Sequence, residues 1–481
     1  MDDENVRSRK PAEVPKPVTS NAASGDANNP PNHPSEDEEE ELEGPLKLDL
    51  AATAKFNQGT GYVPEFIKVL TRKMPERWVN WTVRLFTTVM LISTFSILVY
   101  LGPLALVLLV LLLQMACFHE IINIGYIIYR SHDLPWFRLL SWYFLFSSNY
   151  FLFGESLITR FRLLLAKEDF LQPLVTHHHF FSFSLYSAGI IMFVLSLVKK
   201  HYMKQFTLFG WTHVTLLLIV CSSHFLMQNI FNGVIWFLLP VSCVICNDIM
   251  AYVFGFFYGR TPLIQLSPKK TWEGFIGGGI ATVVFGFFFS LILLQYDYFV
   301  CPLEWDDALG ALTTNCTRNP VFVPKTYNIS KWLFFIPFRH ITWYPFLWHG
   351  LILAIYVSVV GPFGGFFASG LKRAFKIKDF GDFFPGHGGL VDRFDCQFIV
   401  GVFVYIYYTS FVRISSPASL LPLFYVLPTQ EQLAFYRLLT QGMYQRGLLP
   451  AQIAKMVFEM VGPVSTNATF EQAFGRTGEV V

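Results

Sequence analysis

Apolar residues in this chain neither alternate nor mark a single helical face; they run on. Uncharged stretches of about 20 residues recur, and each is long enough to cross the hydrocarbon core of a bilayer as a helix. About nine spans can be drawn, at 79–100, 103–128, 136–155, 177–198, 206–227, 232–258, 274–296, 345–370 and 396–413. The first two lie close enough to be one broken helix. The two ends of the chain are different. Residues 1–55 hold Pro, Asn and Ser with an acidic run from Glu36 to Glu41, and they bury too little apolar surface to offset their ordering entropy. They also lack the apolar core of a signal peptide, so the first span is expected to act as the targeting signal. Residues 416–481 mix Leu433, Tyr436, Leu438 and Leu439 with polar positions in an amphipathic pattern. The predicted architecture is all-α: a polytopic transmembrane helical bundle at 56–415, with a disordered acidic tail at 1–55 and an amphipathic tail at 416–481.

Composition agrees with this class. Of the 481 residues 53% are hydrophobic and 15% charged, against about 25% charged in soluble domains. The net charge of +2 carries little information; the placement of the charges carries more. Lys199, Lys200 and Lys204 follow the fourth span, Arg260, Lys269 and Lys270 the sixth, and Lys372, Arg373, Lys376 and Lys378 the eighth. A cytosolic N-terminus puts all three clusters in the cytosol, as the positive-inside rule asks. Arg160, Arg162 and Lys167 fall on the opposite side, accompanied by Glu155, Glu168 and Asp169. Two spans separate the 260–273 loop from the 371–395 loop, so both face one side whichever way the chain inserts. The long loop 297–344 holds two sequons, at Asn315 and Asn328, and two cysteines, Cys301 and Cys316, able to form a disulfide if the loop is lumenal. Cys243 and Cys246 form a lone C-x-x-C inside an apolar run and read as packing residues.

Charges within or beside spans are costly and therefore candidates for function. Asp248 lies well inside the sixth span and needs a metal ion or a basic partner. Lys269 and Lys270, in Ser267-Pro268-Lys269-Lys270-Thr271-Trp272-Glu273-Gly274, can contact phosphate as point charges. A second cluster runs from Ser369 through Lys372-Arg373, Lys378-Asp379 and His387-Gly388-Gly389 to Asp392-Arg393-Phe394-Asp395. Asp392 and Asp395, one helical turn apart, share a face, and paired carboxylates suit Mg²⁺ held together with substrate phosphates. The glycines around His387 let backbone N–H groups approach an anion, and Lys372, Arg373 and Arg393 bring positive charge. The chemistry implied is Mg²⁺-dependent phosphoryl or nucleotidyl transfer at the membrane–cytosol boundary. Lys199 and Lys200 read as topology anchors. His177, His178 and His179 point around a helix rather than to one metal. His119-Glu120, deep in the second span, either lines a substrate cavity or is structural.

These residues resemble a known family. The pattern Ser369-x-Leu371-Lys372-Arg373-x4-Lys378-Asp379-x-Gly381-x3-Pro385-x-His387-Gly388-Gly389-x2-Asp392-Arg393-x-Asp395 is similar to the full signature of the phosphatidate cytidylyltransferases, or CDP-diacylglycerol synthases. Asn247-Asp248 and the 267–274 segment also fit, and the resemblance extends over about 60–440. The acidic N-terminus, Phe118-His119-Glu120 and the long loop look like the animal endoplasmic-reticulum branch. The resemblance implies transfer of CMP from CTP to phosphatidic acid, giving CDP-diacylglycerol and pyrophosphate for phosphatidylinositol and related phospholipids. It implies a catalytic set of Lys372, Asp392, Asp395, Ser369 and His387, and Asp392, Asp395 and Asp248 as Mg²⁺ carboxylates. It also implies substrate contacts from Lys269, Lys270, Arg373, Lys378, Arg393, Gly388 and Gly389. The expected setting is the endoplasmic-reticulum membrane with a cytosolic active site. Membrane lipids are expected partners, nucleic acid is not, and a homodimer is allowed for. One departure is visible: bacterial members carry an acid near the start of the signature, where this chain reads Gly364-Gly365-Phe366. Asp248 or Asp379 would then have to compensate, or the metal shell differs.

A transporter or scramblase would also be polytopic, but it has no need of a dense Lys/Asp/Gly loop, and the spans show no inverted repeat. A CTP-using lipid kinase is the closest rival among enzymes. The CDP-alcohol phosphotransferases are disfavoured because their D-G-x2-A-R motif is absent.

Overall fold

A computed structural model describes residues 76–129, 136–165, 172–264, 267–306, 311–313, 316–328, 340–381, 383, 388–413, 424 and 427–461. The acidic segment 1–55 and the candidate residue His387 lie outside the described residues. The helices are α1 (Glu76–Leu101), α2 (Pro103–Tyr129), α3 (Phe137–Leu165), α4 (Gln172–Thr176), α5 (His178–Leu195), α6 (Tyr202–Phe231), α7 (Ile235–Tyr258), α8 (Trp272–Leu293), α9 (Asp297–Val300), α10 (Phe346–Val359), α11 (Gly361–Ala374), α12 (Val391–Tyr407), α13 (Thr429–Gln445) and α14 (Ala451–Val461). Among the described residues, three two-stranded antiparallel pairs interrupt the helical chain: β1 (Pro262–Ile264) with β2 (Ser267–Thr271), β3 (Glu304–Asp306) with β4 (Ala311–Thr313), and β5 (Lys325–Asn328) with β6 (His340–Trp343).

Seven of the described helical segments are long and apolar enough to cross a membrane: Pro103–Ile127, His178–Leu195, Tyr202–Phe231, Ile235–Tyr258, Trp272–Leu293, Phe346–Ala374 and Val391–Val412. The other two expected spans are helices of a different make-up. In α1 the apolar stretch shortens to Leu85–Leu101, and α3 carries Arg138 and Glu155 along its length. The expected span at 345–370 bends at Val360, where α10 gives way to α11. Pro362 sits in the first turn of α11, where its missing N–H is no loss.

Helix α6 packs against α2, α3, α7 and α12 and is the most enclosed of the spans. Polar side chains tie α12 to its neighbours. Asn229 of α6 donates to the Gly401 carbonyl at 2.9 Å, and Gln397 of α12 donates to the Val241 carbonyl at 3.3 Å. Helices α7 and α8 approach closely, because the inward face of α8 is a row of small residues four apart: Gly274, Gly278, Thr282, Gly286 and Ser290 are all buried. A Cβ at Gly278 would stand 2.9 Å from the Ala251 backbone nitrogen. Small residues at this spacing let membrane helices meet by backbone contact.

The 22 residues of α8 span about 33 Å, so its two ends lie on opposite faces of the bundle. The β1–β2 hairpin precedes its first turn. The loop after its last turn is held by the Cys301–Cys316 disulfide, and by buried Phe322, whose ring meets Trp236 and Phe346 at separations of 6.2 and 5.1 Å.

Candidate active site

Helix α11 ends in a tight reversal. Ile377 N–H closes on the Lys372 carbonyl at 3.0 Å, and Lys376 adopts a left-handed φ of 54°. Five-residue closure with a left-handed residue just beyond the helix is the usual way to turn a chain off a helix end. The turn sends the chain back toward the start of α12 and brings Lys372 against Asp392. The Lys372 Nζ lies 2.6 Å from Asp392 Oδ1, with the side chains 16% and 6% exposed. Asp392 Oδ2 accepts the Phe380 N–H at 3.0 Å, and the buried Phe380 ring lies 5.7 Å below the ammonium. Both Asp392 oxygens are therefore engaged.

Asp395 lies one turn further along α12. Its Oδ1 accepts the Cys396 N–H at 2.7 Å, while its Oδ2 faces Gly365 of α11, where a Cβ would come to 3.4 Å. At Gly364 a Cβ would be 2.6 Å from the Asp395 carbonyl oxygen, so glycine is what permits the α11–α12 contact. Asp248 of α7 keeps accessible surface although protein crowds it. It lies within electrostatic reach of Lys270, Arg393 and Asp395. The hairpin that carries Lys270 is fixed at its base by Glu273, which accepts the Arg260 N–H at 3.1 Å and the Thr261 hydroxyl at 2.7 Å. Thr271 caps α8 by accepting the Gly274 N–H. Residues from the 260–273 and 371–395 loops thus converge on Asp248, as parity requires.

The donor set fits Mg²⁺. It consists of hard carboxylate oxygens, and at Gly365 a Cβ would stand 3.4 Å from Asp395 Oδ2, so no bulky side chain crowds that oxygen from α11. Among the described residues no group of three His, Cys, Asp or Glu could hold a metal ion, so substrate oxygens would have to complete the shell.

The start of α12 receives a carboxylate from another span. Glu120 of α2 accepts the Leu390 N–H at 2.9 Å and the Val391 N–H at 3.0 Å. Gly389 lies beside it, where a Cβ would meet Gly381 N at 2.7 Å, and both Asp392 Oδ2 and Glu120 Oε2 at 3.0 Å. Gly388, at a φ of +80°, occupies a backbone conformation that L side chains rarely adopt, next to the Asp379 carboxyl.

Most of the expected residues gather at this end. Lys372, Asp392, Asp395, Gly388 and Gly389 form its centre, and Ser369 lies one turn before Lys372, donating to the Gly365 carbonyl at 2.7 Å. Asp248, Lys270 and Arg393 form the adjoining wall. Arg373 and Lys378 are exposed at the rim, and the Lys269 backbone belongs to β2. Sequence reasoning missed Phe380 N–H, and it placed Glu273 in the 267–274 segment without giving it a role. The signal for Glu273 was present: an acid two residues after Thr271 opens a span and fits a helix N-terminus.

The chain matches the model of the cytidylyltransferase family over residues 82–411. It is 50% identical to phosphatidate cytidylyltransferase 1 of Homo sapiens over 387 residues, covering 80% of this chain and 84% of that protein. It is 48% identical to phosphatidate cytidylyltransferase 2 of Mus musculus over 428 residues, covering 87% and 96%. Against the phosphatidate cytidylyltransferase of Caenorhabditis elegans it is 48% identical over 404 residues, covering 82% and 86%.

Proposed function

This chain belongs to the cytidylyltransferase family, and from that premise we propose how its Lys372–Asp392 end does the family's chemistry. The protein is a multi-pass membrane enzyme that transfers CMP from CTP to phosphatidic acid, releasing pyrophosphate and forming CDP-diacylglycerol. A phosphate oxygen of phosphatidic acid attacks the α-phosphorus of CTP. The bond from that phosphorus to the bridging oxygen breaks, and the electron pair leaves with pyrophosphate. Two anions meet in this step, so the site must supply positive charge and hold the reacting atoms in line.

The observation that carries the reading is the buried Lys372–Asp392 pair at the start of α12. Asp392 and the Phe380 ring fix the ammonium as a point charge for the triphosphate, and Arg393, Lys270, Arg373 and Lys378 add cationic groups at the same end of the bundle. The Ser369 hydroxyl donates its proton to the Gly365 carbonyl and so offers its oxygen as an acceptor. Asp395 and Asp248 are the carboxylates that would hold Mg²⁺ with the triphosphate oxygens. Asp392 is the third of the set, engaged by Lys372 and Phe380. When bound, Mg²⁺ neutralises charge on the transferring phosphoryl group.

In this reading the protein sits in the endoplasmic-reticulum membrane and the site faces the cytosol. Its support is the set of Lys/Arg loops on one side and the Cys301–Cys316 disulfide beyond the opposite end of α8. The test uses purified protein in detergent micelles with phosphatidic acid and CTP labelled at the α-phosphorus. Label entering the lipid with equimolar pyrophosphate is the expected result. CDP release with unlabelled lipid would overturn the reading in favour of a kinase.

A further inference from the structure

Helix α12 carries Asp392 and Asp395, yet its own first turn contains no side-chain cap: Leu390 occupies the cap position. Leu390 and Val391 are buried, so the leading N–H groups of the helix would be left orphaned away from water, which is costly. Glu120, distant in sequence, supplies the missing acceptor. One carboxylate receives two adjacent backbone donors, Leu390 N–H on Oε1 and Val391 N–H on Oε2, at 2.9 and 3.0 Å. The surrounding backbone is shaped to admit it. A Cβ at Gly381 would stand 2.7 Å from Glu120 Oε1, and one at Gly389 would stand 3.0 Å from Glu120 Oε2. Gly389 bridges to the chemistry as well, since the same Cβ would lie 3.0 Å from Asp392 Oδ2.

We infer that Glu120 is a positioning residue for the transfer reaction: its carboxylate clamps the first turn of α12 and so sets the height and rotation of Asp392 and Asp395. This rests on the function proposed above. The clamp also bears on anion binding. The N–H groups of Leu390 and Val391, which a helix N-terminus would otherwise present to a phosphate, are committed to Glu120. Phosphate contacts then fall to Lys372, Lys270 and Arg393.

Glu120→Gln tests this with almost no change of volume. A glutamine can accept one of the two N–H groups with its oxygen, but it turns an NH₂ donor toward the other. The expected result is a fall in kcat of at least about tenfold per folded molecule, with the KM for CTP changed by less than about threefold. Amide hydrogen exchange over 388–396 is expected to quicken at least about tenfold while α5 and α8 keep their protection. This second readout needs no turnover, so it stands even if the proposed reaction fails in the wild type. A double-mutant cycle with Leu390→Pro sharpens the test. Leu390 has a φ of −70°, which proline accepts, and the change removes one of the two donors. In that background Glu120→Gln is expected to cost less than in the wild type. Unchanged kcat and exchange in Glu120→Gln would overturn the inference. So would a tenfold rise in KM at constant kcat, which would make Glu120 a substrate-lining residue.

Discussion

Replacing Lys372 by Arg is the perturbation that best separates a phosphate ligand from a membrane anchor. The ammonium lies 2.6 Å from Asp392 Oδ1. At that distance the gross attraction is about 6 kcal/mol for an effective dielectric constant of about 20, and desolvation of the pair offsets most of it. Removing the charge, as in Lys372→Met, would leave Asp392 buried without its cation and cost about 3–5 kcal/mol of stability. Loss of activity would then say little. Arginine keeps the charge and changes only its shape. A planar guanidinium engages a carboxylate side-on through two N–H groups, and at Asp392 it would compete with Phe380 N–H for Oδ2. It must also fit above the Phe380 ring, 5.7 Å from the present ammonium. Lys372→Arg is therefore expected to insert and fold normally. Its kcat/KM, measured as CDP-diacylglycerol formation in mixed micelles over a range of CTP, is expected to fall at least about tenfold, or about 1.4 kcal/mol. An anchor needs only charge near the headgroups. A variant equal to wild type in rate and CTP dependence would therefore refute the reasoning. Lys199→Arg is the control and is expected to be neutral.

Asp395→Asn keeps an acceptor for the Cys396 N–H but holds Mg²⁺ poorly, so kcat is expected to fall at least about 100-fold in a folded protein; near-normal rates at saturating Mg²⁺ would remove Asp395 from the metal shell. Gly389→Ala drives a methyl group into Gly381 N, Asp392 and Glu120 and is expected to cost about 1–3 kcal/mol in thermal unfolding. Gly442→Ala meets nothing within 4 Å and is expected to be neutral or slightly stabilising on the same measurement. Cysteines introduced at Pro262 and Phe383 are expected to react with an impermeant thiol reagent from one side of sealed vesicles, and one at Lys325 from the other. Labelling of the first two from opposite sides would break the convergence of the two loops.

Spans, the parity of the loops and the cluster around Lys372 were legible in the sequence because a bilayer imposes length and apolarity on any helix that crosses it. Asp248 was legible for a related reason, since a carboxylate inside an apolar run needs a partner. The break at Val360 was not, although Gly361-Pro362 marked it, because α10 and α11 together still fit the length of one span. The role of Glu120 was half legible. Its cost in the membrane announced a function, but the partner is backbone N–H across a long sequence separation, and backbone donors leave no mark in side-chain patterns. The hairpins after α8 were hidden for another reason: short strands in a loop carry too few alternating positions to stand out.

Gly364 and Gly365 show how packing and charge bear on one another at this site. An acid at 364 cannot coexist with the present α11–α12 contact, because its Cβ alone would stand 2.6 Å from the Asp395 carbonyl oxygen. An acid at 365 would place a second negative charge directly against Asp395 Oδ2. Close approach of these helices therefore excludes one carboxylate position and penalises the other. On α7, Asp248 lies within electrostatic reach of Asp395, Lys270 and Arg393, and under the proposed function it supplies the carboxylate that α11 does not carry. Asp248 can serve there only if α7 and the β1–β2 hairpin are held in fixed relation. That relation comes from the small-residue face of α8 against α7, and from Glu273 bridging the hairpin base to the first turn of α8. The row of glycines in α8 and the glycine pair in α11 thus answer one requirement. Both let backbones approach closely, and Asp248 and Asp395, on different helices, come within electrostatic reach of one another.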